Sequence, residues 1–297
     1  MENLKPNDWL MQFAKNKYSQ FGEDGIIEKI FEIMSQAPSG EAKGDKWCVD
    51  IGAWDGKKIS NTYNLMTNYG WSGVLVEADE KKFPELQETY KDNKKAICKC
   101  RWVNFEGPDS LDNIFKETPL PKNFDFLSLD IDGNDYHAWE AMTKYQPKVA
   151  LVEFNRSIPA DIDFVQPRDM KVNQGSSILA IYRLGKKKGY ELVAATDPNA
   201  FFVKKELFPL FNMQPIEEKD LVKFIPEKNL FKLFQLFDGT IISVGCDVLD
   251  LFQAKLNFNN ASPVPKIFRM FPPAMNPVKF FLFRVWRKLY NTLIKKS

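Results

Sequence analysis

The segment Trp47-Cys-Val-Asp-Ile-Gly-Ala-Trp-Asp-Gly56 constrains the fold of this chain more than any other stretch. It is a short apolar run that carries Asp50 and ends in a turn with Gly52 and Gly56. This pattern is typical of a buried strand that leads through a glycine loop into a helix. Such a loop lets backbone N–H groups approach a nucleotide-like ligand closely, although it also serves as a plain tight connection. We expect one of these two roles here.

A second apolar run supports the ligand-binding role. Gly73-Val-Leu-Val-Glu-Ala-Asp79 reads as the next strand, and Glu77 stands near its end. In dinucleotide-type folds an acidic side chain roughly 20–30 residues after the glycine loop accepts hydrogen bonds from ribose hydroxyls. Two adjacent strand ends would therefore present the carboxylates of Asp50 and Glu77 to one crevice.

Strand-like and helix-like segments alternate through the middle of the chain. This alternation, with continuously apolar strands, predicts a parallel sheet covered on both faces. A further helix is predicted over 176–185, with Ser176 as its cap and Gly185 after its end. Two β-rich runs around Asp197-Pro-Asn199 then predict an antiparallel hairpin. The predicted strands are 47–53, 73–78, 96–103, 124–131, 148–154, 190–196 and 200–205, and the predicted helices before the hairpin are 8–36 (interrupted near residue 20), 57–69, 81–91, 109–116, 135–145 and 176–185.

Three motifs carry a resemblance to a known family. Val49-Asp-Ile-Gly-Ala-Trp-Asp-Gly56, Val76-Glu-Ala-Asp79 and Leu127-Ser-Leu-Asp-Ile-Asp-Gly-Asn-Asp135 together resemble the motifs of Rossmann-like S-adenosylmethionine-dependent methyltransferases of the FkbM type. Tyr18-Ser-Gln-Phe-Gly-Glu-Asp-Gly25 resembles the N-terminal signature of one branch. The resemblance covers about residues 15 to 207, and it departs from the commoner Gly-x-Gly-x-Gly loop by Ala53 and Trp54.

The resemblance implies both a fold and a cofactor. The implied α/β fold is the Rossmann-like class I methyltransferase fold, a mostly parallel seven-stranded sheet with a terminal antiparallel hairpin and helices on both faces. It also implies that the N-terminal segment lies over the cofactor, with Gln20 and Glu23 near the site. For S-adenosylmethionine, Asp50 would bind the ammonium group, Glu77 the ribose hydroxyls, and the glycine loop the methionine portion. The expected cofactor-binding residues are Gln20, Asp50, Gly52, Ala53, Gly56, Glu77, Asn104 and Asp130, where Asn104 is a positional candidate for adenine or an ordinary loop residue.

Acidic and amide side chains follow the fourth and fifth predicted strands. Asp130 and Asp132 follow one strand and Glu153 and Asn155 end the other, so the sheet brings them to one edge. They could hold Mg²⁺, as similar acids do in some O-methyltransferases, with Asp130, Asp132, Glu153 and Asn155 as ligands. Without metal, one carboxylate of raised pKa could instead remove a proton from a substrate hydroxyl. Asp132 and Asn134 could also simply cap the next helix.

His137 is the only histidine of the chain, so any imidazole base must be this residue. It follows Asp132 within about one or two helical turns, which allows either a catalytic or a structural role. The sequence has no Gly-x-Ser-x-Gly elbow, and this argues against hydrolysis by an activated serine.

Charge is distributed unevenly along the chain. No Asp or Glu follows Asp250, whereas nine Lys and Arg residues do. Since the whole chain has a net charge of +2, residues 1–250 carry a net charge of −7. Residues 277–296 follow Asn276, a good cap, and Pro277, and they predict a cationic amphipathic helix. That helix would either pack on its own domain or adsorb to an anionic membrane. The acidic remainder argues against a nucleic-acid partner. The apolar side chains expected on one arc are Val278, Phe281, Leu282, Val285, Trp286, Leu289 and Leu293.

The location of the protein is expected to be cytoplasmic, at most peripheral at the inner face of the membrane. Cys48, Cys98, Cys100 and Cys246 lack metal-ligand spacing, and we expect reduced cysteines. The N-terminus lacks the pattern of a secretion signal, and no apolar run reaches the ~20 residues of a membrane span.

These observations predict four segments and one main function. The segments are an N-terminal helical part (1–45), a cofactor-binding core (46–207), additional elements that could serve the acceptor side (208–275) and the basic helix (276–297). The resemblance implies an S-adenosylmethionine-dependent methyltransferase, with O-methylation of a sugar, a surface-glycan precursor or another polar metabolite as the expected function. The alternatives are a metal-dependent nucleotide-sugar glycosyltransferase and a catalytically silent membrane-associated binding protein of the same fold.

Overall fold

The computed structural model describes residues 4–37, 44–226, 230–245, 248–249, 254–255, 262–270 and 272–294. The chain divides into two units, Met1–Ile225 and Pro226–Ser297. The first unit contains a large sheet with its helices, and the second contains short strands and a long C-terminal helix. The four predicted segments remain a prediction.

One sheet dominates the first unit. Its strands are β1 (Trp47–Ile51), β2 (Ser72–Glu77), β3 (Ala96–Cys100), β4 (Phe126–Leu129), β5 (Val149–Glu153), β6 (Tyr190–Ala195) and β7 (Asn199–Lys204). The order is β3-β2-β1-β4-β5-β7-β6. β1 pairs in parallel with β2 and β4, whereas β7 runs antiparallel between β5 and β6. This arrangement confirms the predicted Rossmann-like class I methyltransferase fold with its terminal hairpin.

The central strands are buried because nearly every side chain on them is apolar. Val49 and Ile51 of β1, Phe126 and Leu127 of β4, and all of β5 before Glu153 are fully buried. Such continuous apolar runs suit strands that are covered on both faces, and burying each large side chain stabilises the fold by about 1.5–3 kcal/mol. The chain order reverses between β1 and β4, so the loops after these strands diverge and open a crevice.

Most helices of the first unit are shorter than the sequence predicts. They are α1 (Glu23–Ser35), α2 (Tyr63–Asn68), α3 (Phe83–Thr89), α4 (Leu111–Lys116), α5 (Asp135–Ala141) and α6 (Ile178–Lys187). The predicted helix over 8–36 is a short 3-10 turn (Trp9–Phe13) followed by α1. The predicted helix over 57–69 begins only at Tyr63, because Ser60 and Thr62 turn their hydroxyls towards Asp50. α5 ends before residue 145 because Asp112 accepts the N–H groups of Thr143 and Lys144.

The predicted ends of α6 are wrong on both sides. Ser177, rather than Ser176, caps the helix by accepting the N–H of Ala180. Gly185 lies inside the helix rather than after its end. A Cβ atom on Gly185 would come within 2.5 Å of the Phe202 ring, so the glycine allows α6 to pack tightly on β7.

Glu23 ties the N-terminal segment to the terminal hairpin. Its Oε1 accepts hydrogen bonds from Thr196 Oγ1 (2.7 Å) and Asn199 Nδ2 (3.2 Å), and its Oε2 accepts the N–H of Phe21. The carboxylate is buried, and a buried charge is tolerated when it is fully hydrogen-bonded. The start of α1 is therefore held against the β6–β7 turn.

The second unit is smaller. Its hairpin consists of β8 (Phe231–Gln235) and β9 (Ile241–Gly245), and β10 (Val248–Leu249) pairs with β11 (Ala254–Lys255). α7 (Pro277–Ile294) begins as predicted, since Asn276 Oδ1 accepts the N–H of Lys279 at 2.8 Å. Among the described helices, none has both the length and the apolarity to cross a membrane.

Three cysteines are free, as expected: Cys48 is buried in β1, and Cys98 and Cys100 lie on β3. Cys246, and residues 295 and 296 of the predicted basic helix, lie outside the described residues.

Candidate functional site

A cavity of about 420 Å³ opens where the sheet order reverses, at the carboxyl ends of β1, β2 and β4. Ligands of open α/β sheets bind at such a point. The lining includes Asp50, Gly52, Ala53, Trp54, Lys58, Ser60, Asn61, Glu77, Asp79, Lys82, Arg101, Trp102, Val103, Ser128, Asp130, Asp132, Met170 and Asn173. Six residues that the sequence nominated therefore lie around one space: Asp50, Gly52, Ala53, Glu77, Asp130 and Asp132.

The glycine loop after β1 passes very close to the end of β4. Gly52 has a φ of +83°, and a Cβ atom there would lie 1.8 Å from the carbonyl oxygen of Asp130. Only glycine fits this position. The N–H groups of Gly52 and Ala53 both donate to the carbonyl of Val76, so the loop is fastened to β2.

Glu77 is held in place by the loops on either side of it. Its Oε2 accepts the N–H of Trp54, and its Oε1 accepts the N–H of Asp79, each at 2.7 Å. A carboxylate has about four acceptor positions, so each oxygen can accept a further hydrogen bond from a ligand. The side chain is thus a fixed, pre-oriented acceptor on the cavity wall.

Asp50 lies deeper in the same cavity and is 6% exposed. Its Oδ2 accepts hydrogen bonds from Ser60 Oγ (3.2 Å) and Thr62 Oγ1 (2.6 Å). Burial raises the pKa of Asp50 to about 6, the two hydroxyls oppose this rise, and the nearby Asp130 adds to it. None of the ion pairs between described residues involves Asp50, so a cationic group in the cavity would find an acidic partner there.

Three carboxyl groups form a cluster at the ends of β4 and β5. Oxygens of Asp130, Asp135 and Glu153 lie within 4.8 Å of one another, and Asp130 and Glu153 share a hydrogen bond. Burial raises the pKa of all three, to about 8 for Asp135, and mutual repulsion raises those of Asp135 and Glu153 further. Two carboxyl groups that share a hydrogen bond must hold a proton between them. The cluster therefore holds at least one proton between Asp130 and Glu153.

Asp132 and Asn134 have other roles than capping α5. Asn134 stands at the N-cap position, but its side chain makes no cap bond; its Nδ2 instead donates to the carbonyl of Val172 at 3.1 Å. Asp135 organises the turn by accepting the N–H groups of Ile131 and Gly133. Asp132 has a φ of +54° and lies exposed on the cavity wall. The capping interpretation of Asp132 and Asn134 is therefore wrong.

The four predicted metal ligands are only partly brought together. Asp130 and Glu153 share their cluster with Asp135, and Asp132 is not a member of it. Asn155 holds a loop: its Oδ1 accepts the N–H and the hydroxyl of Ser157, and its Nδ2 donates to the carbonyl of Gln174 at 2.6 Å. The oxygens of Asp130, Asp135 and Glu153 are chemically suited to a hard cation, but Asp135 already uses both of its oxygens on backbone N–H groups.

His137 is buried and supports a loop. Its Nε2 lies 2.8 Å from the carbonyl oxygen of Gln166, and because a carbonyl only accepts, Nε2 carries the proton. Gln166 is 1% exposed; its Oε1 accepts the N–H groups of Gln174 and Gly175, and its Nε2 donates to Val172. The 156–175 loop is thereby fixed with Met170 and Asn173 on the cavity. His137 is not among the described residues that line the cavity.

Three predicted cofactor-binding residues also lie off the cavity lining that the described residues form. Gln20 is exposed. At Gly56 a Cβ atom would meet Leu86 and Tyr90 at 2.6 Å, so this glycine serves packing. The Oδ1 of Asn104 accepts the N–H of the next residue.

The sequence reasoning missed the aromatic and basic rim of the cavity. Trp102 is 62% exposed and Trp54 is 45% exposed, although both line the cavity. Lys82 lies over the Trp54 ring at 5.5 Å. Trp102 lies two residues after the end of β3 and two residues before Asn104, and a tryptophan at a strand end beside a candidate adenine-binding residue was a usable sequence signal. Its planar face is suited to stacking with a flat ligand group.

Comparison with protein-family models gave no match, and comparison with curated proteins gave none. Several solved structures are similar to parts of the chain. Monomeric WbdD is 12% identical over 61% of this chain and 40% of that chain, with a TM-score of 0.39. The CMeT domain of the citrinin polyketide synthase is 11% identical over 66% and 52%, with a TM-score of 0.40. The N-terminal domain of EvdMO1, crystallised in the presence of SAH and D-fucose, is 11% identical over 61% and 80%, with a TM-score of 0.39.

The chain thus spans about half or less of the first two structures that it matches. At these identities and TM-scores the similarity carries no argument about activity. The assignment of the fold depends on the strand order, and the function has to be argued from the cavity.

Proposed function

We propose that this protein is an S-adenosylmethionine-dependent methyltransferase that modifies a hydroxyl of a sugar, a surface-glycan precursor or another polar metabolite. The observation that carries the proposal is the fixed carboxylate of Glu77 on the wall of a cavity that also contains the buried Asp50. One carboxylate suits a ribose diol and the other an ammonium group, and the cofactor carries both. The assignment to the FkbM type is part of the proposal.

The residues present fit this cofactor. A cavity of about 420 Å³ is within the usual range for small-molecule sites. Because Gly52 has no side chain, the glycine loop can pass close to the end of β4. Trp102 offers a flat apolar face on which the adenine of the cofactor could stack. Asp50, Ala53, Glu77 and Trp102 would hold the cofactor. When bound, it supplies a methyl group on a positively charged sulfur.

The chain's own residues would position the acceptor and remove its proton. Asp130 lines the cavity and is hydrogen-bonded to Glu153 behind it. A carboxylate of raised pKa is a better proton acceptor near neutral pH than an ordinary one. In the proposal Asp130 takes the hydroxyl proton, and burial keeps the pKa of Asp130 raised although the hydrogen bond from Glu153 opposes this rise. The exposed Asp132 helps to orient the acceptor.

Mg²⁺ is a second way to neutralise the acid cluster. Asp130, Asp135 and Glu153 would hold the ion, and all three would then have to be ionised. The hydrogen bond between Asp130 and Glu153 requires a shared proton and favours the metal-free form. Cofactor binding with and without Mg²⁺ separates the two forms.

The deciding experiment is calorimetric titration of the full-length protein with S-adenosylhomocysteine. Glu77→Ala should weaken binding by about 10- to 100-fold, because a hydrogen bond to a charged group contributes about 1.5–3 kcal/mol. Glu80→Ala is the matched control, since Glu80 is exposed, lies three residues away and does not line the cavity. It should bind like the wild type.

Other outcomes would favour the alternatives. Failure of the folded wild-type protein to bind S-adenosylhomocysteine, combined with Mn²⁺-dependent binding of a nucleotide sugar, would support a glycosyltransferase in which Asp130 and Asp132 hold the metal. A catalytically silent binding protein would bind the cofactor without turning over any acceptor, and the Asp130→Asn variant would still perform the protein's cellular role.

A further inference from the structure

One face of α7 packs inside the second unit. The rings of Phe283 and Trp286 lie 5.9 Å and 6.1 Å from that of Phe268, and Tyr290 stacks on Trp286 at 5.3 Å. These three aromatic residues of α7 are partly buried. Trp286, which was expected on the same arc as the aliphatic side chains, lies at the edge of that arc, where its ring packs against Phe268 and Tyr290.

The helix surface next to this packed face is apolar and exposed. Six side chains at helical spacing form a continuous stripe about 120° wide, at 100° per residue. They are Val278 (71% exposed), Phe281 (64%), Leu282 (51%), Val285 (43%), Leu289 (61%) and Leu293 (70%). We call this set the apolar stripe. Isolated exposed apolar residues are ordinary, whereas a contiguous stripe marks an interaction surface.

Positive charge borders the apolar stripe. Lys288 stands next to it on the helical projection, and Arg284 and Arg287 lie further round. No ion pair among the described residues engages any of these three. Because the sequence contains no acidic residue after Asp250, α7 brings no internal compensation for them. The helix therefore combines apolar area with net positive charge, which complements an anionic lipid surface.

We propose that α7 is an interfacial anchor that adsorbs to an anionic bilayer with the apolar stripe at the boundary of headgroups and acyl chains. The helix lies in the membrane plane, since it is unsuited to spanning. A nucleic acid would contact the positive charges but would leave the apolar stripe exposed. A protein partner would have to present an apolar face and an acidic face together. The proposal stands independently of the catalytic function, which it would bring near lipid-linked acceptors.

The test is sedimentation of the full-length protein with lipid vesicles. We expect binding to phosphatidylcholine vesicles that contain phosphatidylglycerol, and much weaker binding to phosphatidylcholine alone. Neutralising Arg284 and Lys288 together (Arg284→Gln, Lys288→Gln) should reduce binding by about fivefold per charge.

A matched pair of variants isolates the apolar stripe. Leu289→Glu and Asn291→Glu change the net charge equally, but Asn291 is exposed on the polar side of the helix. Leu289→Glu should bind at least about tenfold more weakly than Asn291→Glu, because it replaces a leucine that would insert among the lipids with a charged side chain. Leu293→Glu should repeat the effect, and circular dichroism confirms that each variant keeps its helix.

Three results would overturn the proposal. Equal binding of Leu289→Glu and Asn291→Glu would show that the apolar stripe does not enter the membrane. Tight binding of single-stranded DNA that competes with vesicles and is insensitive to Leu289→Glu would reassign the surface to polyanions. Lipid-free self-association that Leu289→Glu abolishes, without vesicle binding by the wild type, would reassign the stripe to a second copy of the chain.

Discussion

The backbone of Gly52 lies so close to Asp130 that a Cβ atom on Gly52 would stand 1.8 Å from the Asp130 carbonyl oxygen. This contact joins the ends of β1 and β4, the two strands between which the cavity opens. A backbone contact therefore holds the glycine loop next to the strand end that carries Asp130 of the acid cluster.

Gly52→Ala should push these two strand ends apart. We expect a loss of about 2–4 kcal/mol in the free energy of unfolding, from the clash and the positive φ together, and no measurable binding of S-adenosylhomocysteine. Gly107→Ala is the control: Gly107 has a φ of +72° but no atom within 4 Å of its Cβ position, so only the φ penalty applies. Urea denaturation of both variants measures the difference, and equal losses would contradict the close contact.

Asp50→Asn should stabilise the ligand-free protein while weakening ligand binding. Burial raises the pKa of Asp50 to about 6, so its favourable contribution is complete below the unfolded pKa near 4 and is lost as the pH rises through 6. At pH 7.5 the asparagine variant should be more stable by about 1–3 kcal/mol. The gain should vanish near pH 4, and a constant gain at both pH values would refute the ionisation argument.

Binding of S-adenosylhomocysteine should depend on pH through the same residue. The ligand's ammonium group prefers ionised Asp50, so the affinity of the wild type should fall as the pH is lowered through about 6. Asp50→Asn should bind weakly and lose this dependence. Calorimetry between pH 5 and pH 8 tests the prediction, and an unchanged pH dependence in the variant would assign the titration to another group.

Asp130→Asn should separate binding from turnover. Once an acceptor is found by screening, we expect turnover to fall by at least about 100-fold while the affinity for S-adenosylhomocysteine stays within a few fold. Glu153→Leu removes the hydrogen bond that lowers the pKa of Asp130, so this pKa should rise and the acid limb of the pH–rate profile should move to higher pH. Normal turnover by Asp130→Asn would remove Asp130 from the proposed mechanism.

Gln166→Leu should loosen the 156–175 loop. The change removes three side-chain hydrogen bonds inside that loop and should cost about 1–3 kcal/mol in stability, with a weaker affinity for ligands of the cavity. Gln174→Leu, at an exposed position of the same loop, should be nearly neutral.

His137→Gln should keep the shape of the pH–rate profile, because His137 supports this loop. Loss of one limb of the profile would instead identify His137 as a base.

Local sequence patterns predicted the sheet and several site residues for a clear reason. Continuous apolar runs define buried parallel strands, and the residues at their carboxyl ends must share one edge. The sequence alone therefore predicts that Asp50, Glu77 and Asp130 lie at one ligand-binding edge of the sheet. Helix ends were predicted less well, because side chains distant in sequence decide them: Asp112 ends α5, and Asp50 delays the start of α2.

The sequence by itself determined the order of the elements, the terminal hairpin, the glycine loop and the charge asymmetry of the chain, because each depends on neighbouring residues. The tertiary structure decided which acids meet, since Asp135 joins Asp130 and Glu153 while Asp132 does not. It also decided that His137 supports a loop and that Trp286 packs inward while the apolar stripe stays exposed. These outcomes depend on contacts between residues far apart in the chain, and no local pattern encodes such distances.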